Sequence, residues 1–274
     1  MPSLLMGWDG APVSWLRYGP QRSLWVAEGP RMRFGVMFNP RRKKKKINPW
    51  PGRLGGLSLF FLGLTAVQVF SFGLFRPPLT LAAASQWVAY AFSRGDCPQT
   101  GSWVALDELS PYLRRAVLAS EDQRFLKHYG FDFIELGVAL RSLQEGGYLR
   151  GASTISMQTA RTMFLWPARS WLRKLVEAYY TLWLELLWSK EKIFEFYLNS
   201  VDWGPAVRGA EAAALKYFNC HARELNSEQA ALLAAVLPGP HLWRPHRPTA
   251  AVLRRAARIM QEMDKVPLVG LSRT

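Results

Sequence analysis

The stretch from Ser110 to Gly130, SPYLRRAVLASEDQRFLKHYG, decides how the chain is read. Ser110 followed by Pro111 is a strong helix start: a hydroxyl at the cap, then a ring whose missing N–H would have had no partner anyway. From there Leu113, Val117 and Glu121 fall at i, i+4 and i+8, on one face. A helix that buries this face carries Glu121 to the edge of the core at its C-terminal end. Partial desolvation and the negative end of the helix both bear on that carboxylate, which is the setting of a general base. Spacing alone leaves a plainer reading open, a helix-terminal Glu bonded to Arg124 or Lys127. Asp122 falls on another side of the helix and reads as structural.

Working outward, the pattern stays helical. The periodicity and caps predict helices over 133–144, within 151–165 after a glycine turn and hydroxyl cap, over 173–188, 190–198, 210–217 and 227–236, and over 249–263. LPGP (237–240) stops the sixth of these. The last is amphipathic, with Arg254, Arg255 and Arg258 on its wet side. No run of strict apolar alternation occurs, so the fold class is mainly α, with any β structure too short to see in the pattern.

The 274 residues allow one ordinary domain plus appendages. The net charge of +15 invites a nucleic-acid reading, but residues 1–53 hold a net +9 of it, concentrated in RRKKKK (41–46). Leu54–Phe75 follows, 22 residues without a charge, enough for a helix of about 33 Å that crosses a bilayer. A basic run just before such a span is an orientation signal that keeps the N-terminus in the cytoplasm. The expected organisation is therefore a largely unstructured cytoplasmic basic tail (1–53), a transmembrane helix (54–75), an outer domain (76–264) and a C-terminal tail (265–274). Nucleic acid is not an expected partner. A cleaved signal peptide is the rival for the apolar span, with LAAAS (81–85) as its cleavage site. Translation from Met32 or Met37 would shorten the tail. Cys97 and Cys220 read as two unrelated thiols.

The candidates for chemistry are few. The four histidines lack zinc-site spacing, and neither a nucleophile elbow nor a phosphate loop occurs. Carboxylates remain. Besides Glu121, Glu177 lies four residues after Arg173, the spacing of an ordinary helical ion pair. Thr154, Gln158 and Arg161 share a helix face and, with Ser153, gather hydroxyls, an amide and a guanidinium at a helix start, a combination suited to phosphate.

Taken in order, EDQRFLKHYGFD, GASTISMQTARTMFLW, RSWLRKLVEA, WSKEKIFEFYLN and RGAEAAALKYF resemble the five motifs of the peptidoglycan glycosyltransferases, over residues of about 100 to 240. The chain stops soon afterwards without a transpeptidase domain, so it looks like the monofunctional, membrane-anchored form, the family shared with class A penicillin-binding proteins. The resemblance implies a lysozyme-like helical domain with a small membrane-proximal lobe, anchored in the bacterial inner membrane with its catalytic domain in the periplasm. It implies polymerisation of lipid II into β-1,4-linked glycan strands with release of undecaprenyl pyrophosphate, in cell-wall biogenesis and cell-shape maintenance.

Carried over residue by residue, Glu121 matches the base that takes the proton from the acceptor GlcNAc 4-hydroxyl, and Glu177 the second carboxylate, which assists departure of the pyrophosphate. Arg161, Arg169 and Arg173 match cations at that pyrophosphate, and Ser153, Thr154 and Gln158 the polar cradle beside it. Asp122, Phe125, His128 and Gly130 match the first motif and shape the acceptor side. No cofactor is required on this reading; a divalent ion, Mg or Mn, at the donor pyrophosphate beside Glu177 is an option. Expected partners are lipid II, the growing strand, the membrane and proteins of wall synthesis or division. The chain departs from the usual pattern at Met157, Arg161, Thr162, Val138 and Asn219, the last where glycine is usual and a left-handed backbone is needed. A lysozyme-like muramidase and a catalytically weak scaffold of a wall-synthesis complex are the alternatives.

Overall fold

The computed structural model describes residues 50–75, 84, 87–88, 90–92, 97, 99–146, 151, 153–166 and 170–270, except for the side chains of residues 50–54 and Thr100. The basic tail, the alternative starts and Arg169 lie outside them. Helix α1 (Trp50–Leu74) contains the apolar segment Gly55–Leu74, long and apolar enough to cross a membrane. Leu59, Phe60, Val67 and Phe70 stand exposed on it, as a lipid-facing helix requires.

The last turns of α1 are docked on the rest of the chain. Val69 is fully buried, and its carbonyl accepts from Trp188 Nε1 at 3.1 Å. Tyr180 donates its hydroxyl to Gln68 Oε1 at 2.9 Å, and the ring of Phe72 lies 5.4 Å from that of Phe164. Gly73 makes this approach feasible, since a Cβ there would sit 2.6 Å from Trp188 Nε1.

Eight further helices are described: α2 (Pro111–Glu121), α3 (Phe133–Gln144), α4 (Ile155–Phe164), α5 (Trp171–Leu187), α6 (Lys190–Ser200), α7 (Ala210–Phe218), α8 (Ser227–Val236) and α9 (Ala250–Glu262). Two packed groups dominate, α2 with α8 and α9, and α4 with α5 and α6. Alanine makes the first possible: Ala230, Ala231, Ala234 and Ala235 are all fully buried, and small side chains let helix axes approach closely. The second is filled by aromatic residues, with Phe194, Phe196 and Tyr197 of α6 buried.

At most helix starts a side chain caps the first turn. The side chains of Asp132, Thr154, Ser170, Ser189, Asn226 and Thr249 each accept an amide of the first turn. Ser110 sits at the start of α2 but does not cap it; its hydroxyl donates to the Leu225 carbonyl at 2.7 Å, tying α2 to the segment before α8. α5 begins two residues before the expected start because Ser170 captures the Arg173 amide. Asn219 ends α7 at φ 53°, ψ 39°, the left-handed backbone that its place in the sequence implied.

Three short strands, β1 (Gln99–Thr100), β2 (Asp202–Gly204) and β3 (Val207–Arg208), form a sheet in which β3 runs parallel to β1 and antiparallel to β2. At two or three residues each they leave no alternation to read. The packed domain continues past the expected end at 264: Val266 and Val269 are buried, and Arg114 Nη1 donates to the Val269 carbonyl at 3.0 Å. Cys97 and Cys220 are both free thiols.

Candidate active site

The C-terminal end of α2 meets the N-terminal end of α4 at a cleft of about 900 Å³. Glu121, the last residue of α2, borders it with 13% of its side chain exposed, while Leu113 and Val117 on the same face are fully buried. The carboxylate therefore stands where the buried stripe opens to solvent. Gln158 of α4 donates from Nε2 to Glu121 Oε2 at 3.1 Å, and its Oε1 receives the Tyr197 hydroxyl at 3.3 Å.

Burial, reinforced by the nearby charge of Glu121, pushes the Tyr197 phenol well above its usual range, against a smaller opposing effect of Arg161. It therefore stays protonated and donates. That fixes which end of the Gln158 amide faces which neighbour, so the –NH2 group is held on the carboxylate.

On the other side, the Ser120 hydroxyl lies 3.1 Å from Glu121 Oε1, and Arg255 of α9 reaches both Ser120 Oγ (2.9 Å) and Glu121 Oε1 (3.6 Å). The plainer reading of Glu121 does not hold as far as Arg124 is concerned, since Arg124 turns away to Asp132, 2.8 Å from Nε to Oδ2.

Asp122 borders the cleft, but its oxygens are committed. His128 Nε2 lies 3.0 and 3.1 Å from them, and the Ile155 amide donates to Oδ2 at 3.0 Å. It fastens the start of α4 beside Glu121. Phe125 is buried against Phe194 with Lys190 Nζ 4.4 Å above its ring, and His128 is buried too. Neither Phe125 nor His128 lines the cleft, so they support its wall from behind and do not present a surface to a ligand. Asp132 caps α3 through the amides of Ile134 and Glu135. Burial alone would raise its carboxyl, but the Glu135 amide, Arg124 and the Ile134 amide outweigh it and hold it below the ordinary value.

Glu177, on α5, is fully buried. Lys174 Nζ contacts its Oε1 at 2.6 Å, and Arg173 Nη1 stands 3.7 Å from Oε2. The expected Arg173 pair exists, but the tighter partner is Lys174, three residues away on the same face, which the sequence reading passed over. Lys174 also donates to Ser153 Oγ at 3.2 Å, and Ser153 borders the cleft. Thr154 points inward, donating to the Gly130 carbonyl and capping the Met157 amide. Arg161 borders the cleft with no hydrogen bond from its side chain among the described residues. Met157 is buried, Thr162 bonds the Gln158 carbonyl at 2.9 Å, and Val138 lies on the exposed side of α3, so none of these three departures opens into the cleft.

Glu177 is contacted by two cations, and among the described residues no cluster of three ligating side chains includes it, so the protein side chains alone do not supply the oxygen set that Mg or Mn takes. The described side chains close enough together to share an ion are Asp122, His128 and Asp132, all buried and already engaged with one another, with backbone amides or with Arg124.

Three bordering or supporting side chains escaped the sequence reading: Lys174, and Arg255 and Arg258 of α9. Their signal was present as helical spacing; the wet face of α9 was recognised, and only the fold reveals that what it faces is the cleft.

A helical domain with an outward carboxylate beside a cationic cleft, following a helix long and apolar enough to cross a membrane, is a setting suited to glycosyl transfer. A family model described as Transglycosylase matches residues 90–264, and the chain belongs to that family. A biosynthetic peptidoglycan transglycosylase of Pseudomonas fluorescens is 44% identical to it over 207 residues, 76% of this chain and 86% of the relative. One of Rhodospirillum centenum is 45% identical over 219 residues (80% and 91%), and one of Mannheimia succiniciproducens 38% identical over 238 residues (86% and 98%).

Proposed function

We propose that the chain is a membrane-anchored peptidoglycan glycosyltransferase that polymerises lipid II. The observation that carries this reading is Glu121 itself, a carboxylate opening into the cleft and aimed by Gln158, with Arg255 on one side and Arg161 further along the same cleft. Glu121 takes the proton from the 4-hydroxyl of the acceptor GlcNAc as that oxygen attacks C1 of the donor MurNAc. The C1–O bond to pyrophosphate breaks with its electron pair, the configuration inverts to β-1,4, and undecaprenyl pyrophosphate leaves. Pyrophosphate departs readily once cations meet its charge, so no strong general acid is needed, unlike the two-carboxylate hydrolysis of a glycosidic bond. Arg161 and Lys174, with Arg169 and Arg173, are the cations for it. Glu177 holds Lys174 and Arg173 in place, and Ser153 and Gln158 complete the polar surface.

Because the lipid portion of such a substrate stays in the bilayer, the domain has to work against the membrane. The docked end of α1, the exposed Phe133, Ile134, Leu140 and Leu143 of α3, and the exposed Trp171, Leu172, Leu175, Leu182 and Leu186 of α5 support that placement. With the basic run inside, the domain lies in the periplasm and meets the growing strand and proteins of wall synthesis or division there.

The test is conversion of purified lipid II to glycan by the full-length protein and by Glu121→Gln. The wild type should produce strands and the variant should not, at unchanged thermal stability. Full activity of the variant would remove Glu121 from the mechanism. Release of soluble fragments from finished sacculi by the wild type, without strand synthesis, would replace transfer by hydrolysis.

A further inference from the structure

The cleft has a second cationic wall that the transfer reaction as described leaves unused. α9 presents Arg255, Arg258 and Glu262 to it, at i, i+3 and i+7, hence from one helix face. Most charged side chains that border the cleft with Arg258 already have partners. Arg255 is held by Ser120 and Glu121, Arg124 by Asp132, and Glu262 by Lys265 at 2.8 Å. Arg258 has no hydrogen bond or ion pair among the described residues, although Glu262 lies one turn along on the same face. Of the cations bordering the cleft it shares this with Arg161 alone.

The two lie on different elements: Arg161 on α4, beyond Gln158, and Arg258 on α9, beyond Arg255. Glu121 links the two walls, bonded to α4 through Gln158 and approached from α9 by Arg255.

Given the polymerisation reading, on which this inference rests, Arg161 meets the leaving pyrophosphate. In an in-line displacement the nucleophile enters opposite the leaving group, so the α9 wall flanks the entering acceptor unit. The reacting sugar of that unit is uncharged. What the acceptor carries near it that a free guanidinium can grip is the peptide stem, whose carboxylates pair with arginine through two parallel hydrogen bonds. We propose that Arg258 is a specificity-determining residue that binds a carboxylate of the acceptor's stem peptide. It orients the sugar for Glu121 without touching the reacting atoms.

The experiment measures initial polymerisation rates of the full-length protein on lipid II and on lipid II whose stem carboxylates have been amidated. For Arg258→Gln on ordinary lipid II, KM should rise about three- to tenfold with kcat within twofold, the scale of one partly exposed charge-assisted contact. Arg258→Lys should recover part of the loss. On the amidated substrate the penalty of Arg258→Gln should fall below twofold, and the wild type's own KM should rise by a factor like that of the substitution. An equal penalty on both substrates would mean that Arg258 meets a phosphate or acts through structure, and no penalty on either would mean that it binds nothing in this reaction; each result overturns the proposal. A wild type that makes no glycan from either substrate would bring down the polymerisation reading itself.

Discussion

The protein keeps the carboxylates of Glu121 and Glu177 in opposite conditions. Glu121 ends a helix at the lip of a cleft, partly exposed and steadied by an amide, with its nearest cation 3.6 Å away. Glu177 is in mid-helix, fully buried and clamped by Lys174 at 2.6 Å. A base must accept a proton and hand it on to solvent, which only the first position permits. A buried anion between two cations is instead a fixed point that sets where those cations can reach. On the proposed mechanism the same residue type serves as a reagent at one site and as a mounting at the other, and exposure is what separates the two.

That contrast can be broken most directly at the reagent. Glu121→Gln removes a proton acceptor and leaves the shape, so strand synthesis should fall by about a thousandfold, within the range of general-base losses, with little change in melting temperature. If Glu177→Gln cost as much activity at equal stability, the division of roles would be wrong. The mounting should betray itself through stability. Lys174→Met leaves the Glu177 charge buried with only the more distant Arg173, and should cost about 2 kcal/mol in denaturant unfolding. We place it below the usual cost of stranding a buried ion because Arg173 remains within reach. Glu177→Gln should cost less, since Lys174 is half exposed and can turn to water.

Gln158→Ala sharpens the reagent side: kcat should drop by about tenfold as Glu121 loses its aim, with KM little moved, and a pure KM effect would contradict the positioning role. The smallest effect concerns pH. The Asp132 carboxyl is held below its ordinary value, so the stability it contributes is complete above the unfolded-state value and is lost as pH falls through the folded one. Asp132→Asn should flatten the acid limb of the stability curve while leaving its neutral-pH slope intact, measured by thermal melts across pH.

Much of this was legible beforehand because it is local. Leu113, Val117 and Glu121 share a face by helical geometry, Asn219 announces a left-handed turn, and Thr154 starts a helix by hydrogen-bond chemistry; each needs only a few neighbouring residues. The ordered motifs added the sugar and the leaving group. What stayed hidden depends on contacts far apart in the chain. Ser110 prefers the Leu225 carbonyl to its own helix, 115 residues away. Tyr197 fixes the Gln158 amide from 39 residues on, and Arg255 arrives at Glu121 from the last helix. That Phe125 and His128 are buried behind the cleft wall was not legible, because burial is a property of the assembled packing. The strands escaped for a simpler reason, their brevity.

The docking of α1 sets an immersion depth. With Gln68, Val69, Phe72 and Gly73 committed to the domain, the part of the apolar segment clear of it on all sides runs from Gly55 to about Val67. At about 1.5 Å per residue that is roughly 20 Å, short of the roughly 30 Å of hydrocarbon in a bilayer. In a bilayer the missing length would have to be supplied by the domain, which would set the layer holding Phe164, Tyr180 and Trp188 into the adjoining leaflet, where the apolar outer faces of α3 and α5 would be at home. An enzyme seated this way has a fixed draught, like a hull. Its cleft stays at a constant height over the lipid headgroups, and a thicker membrane would have to be met by pulling the whole catalytic body deeper.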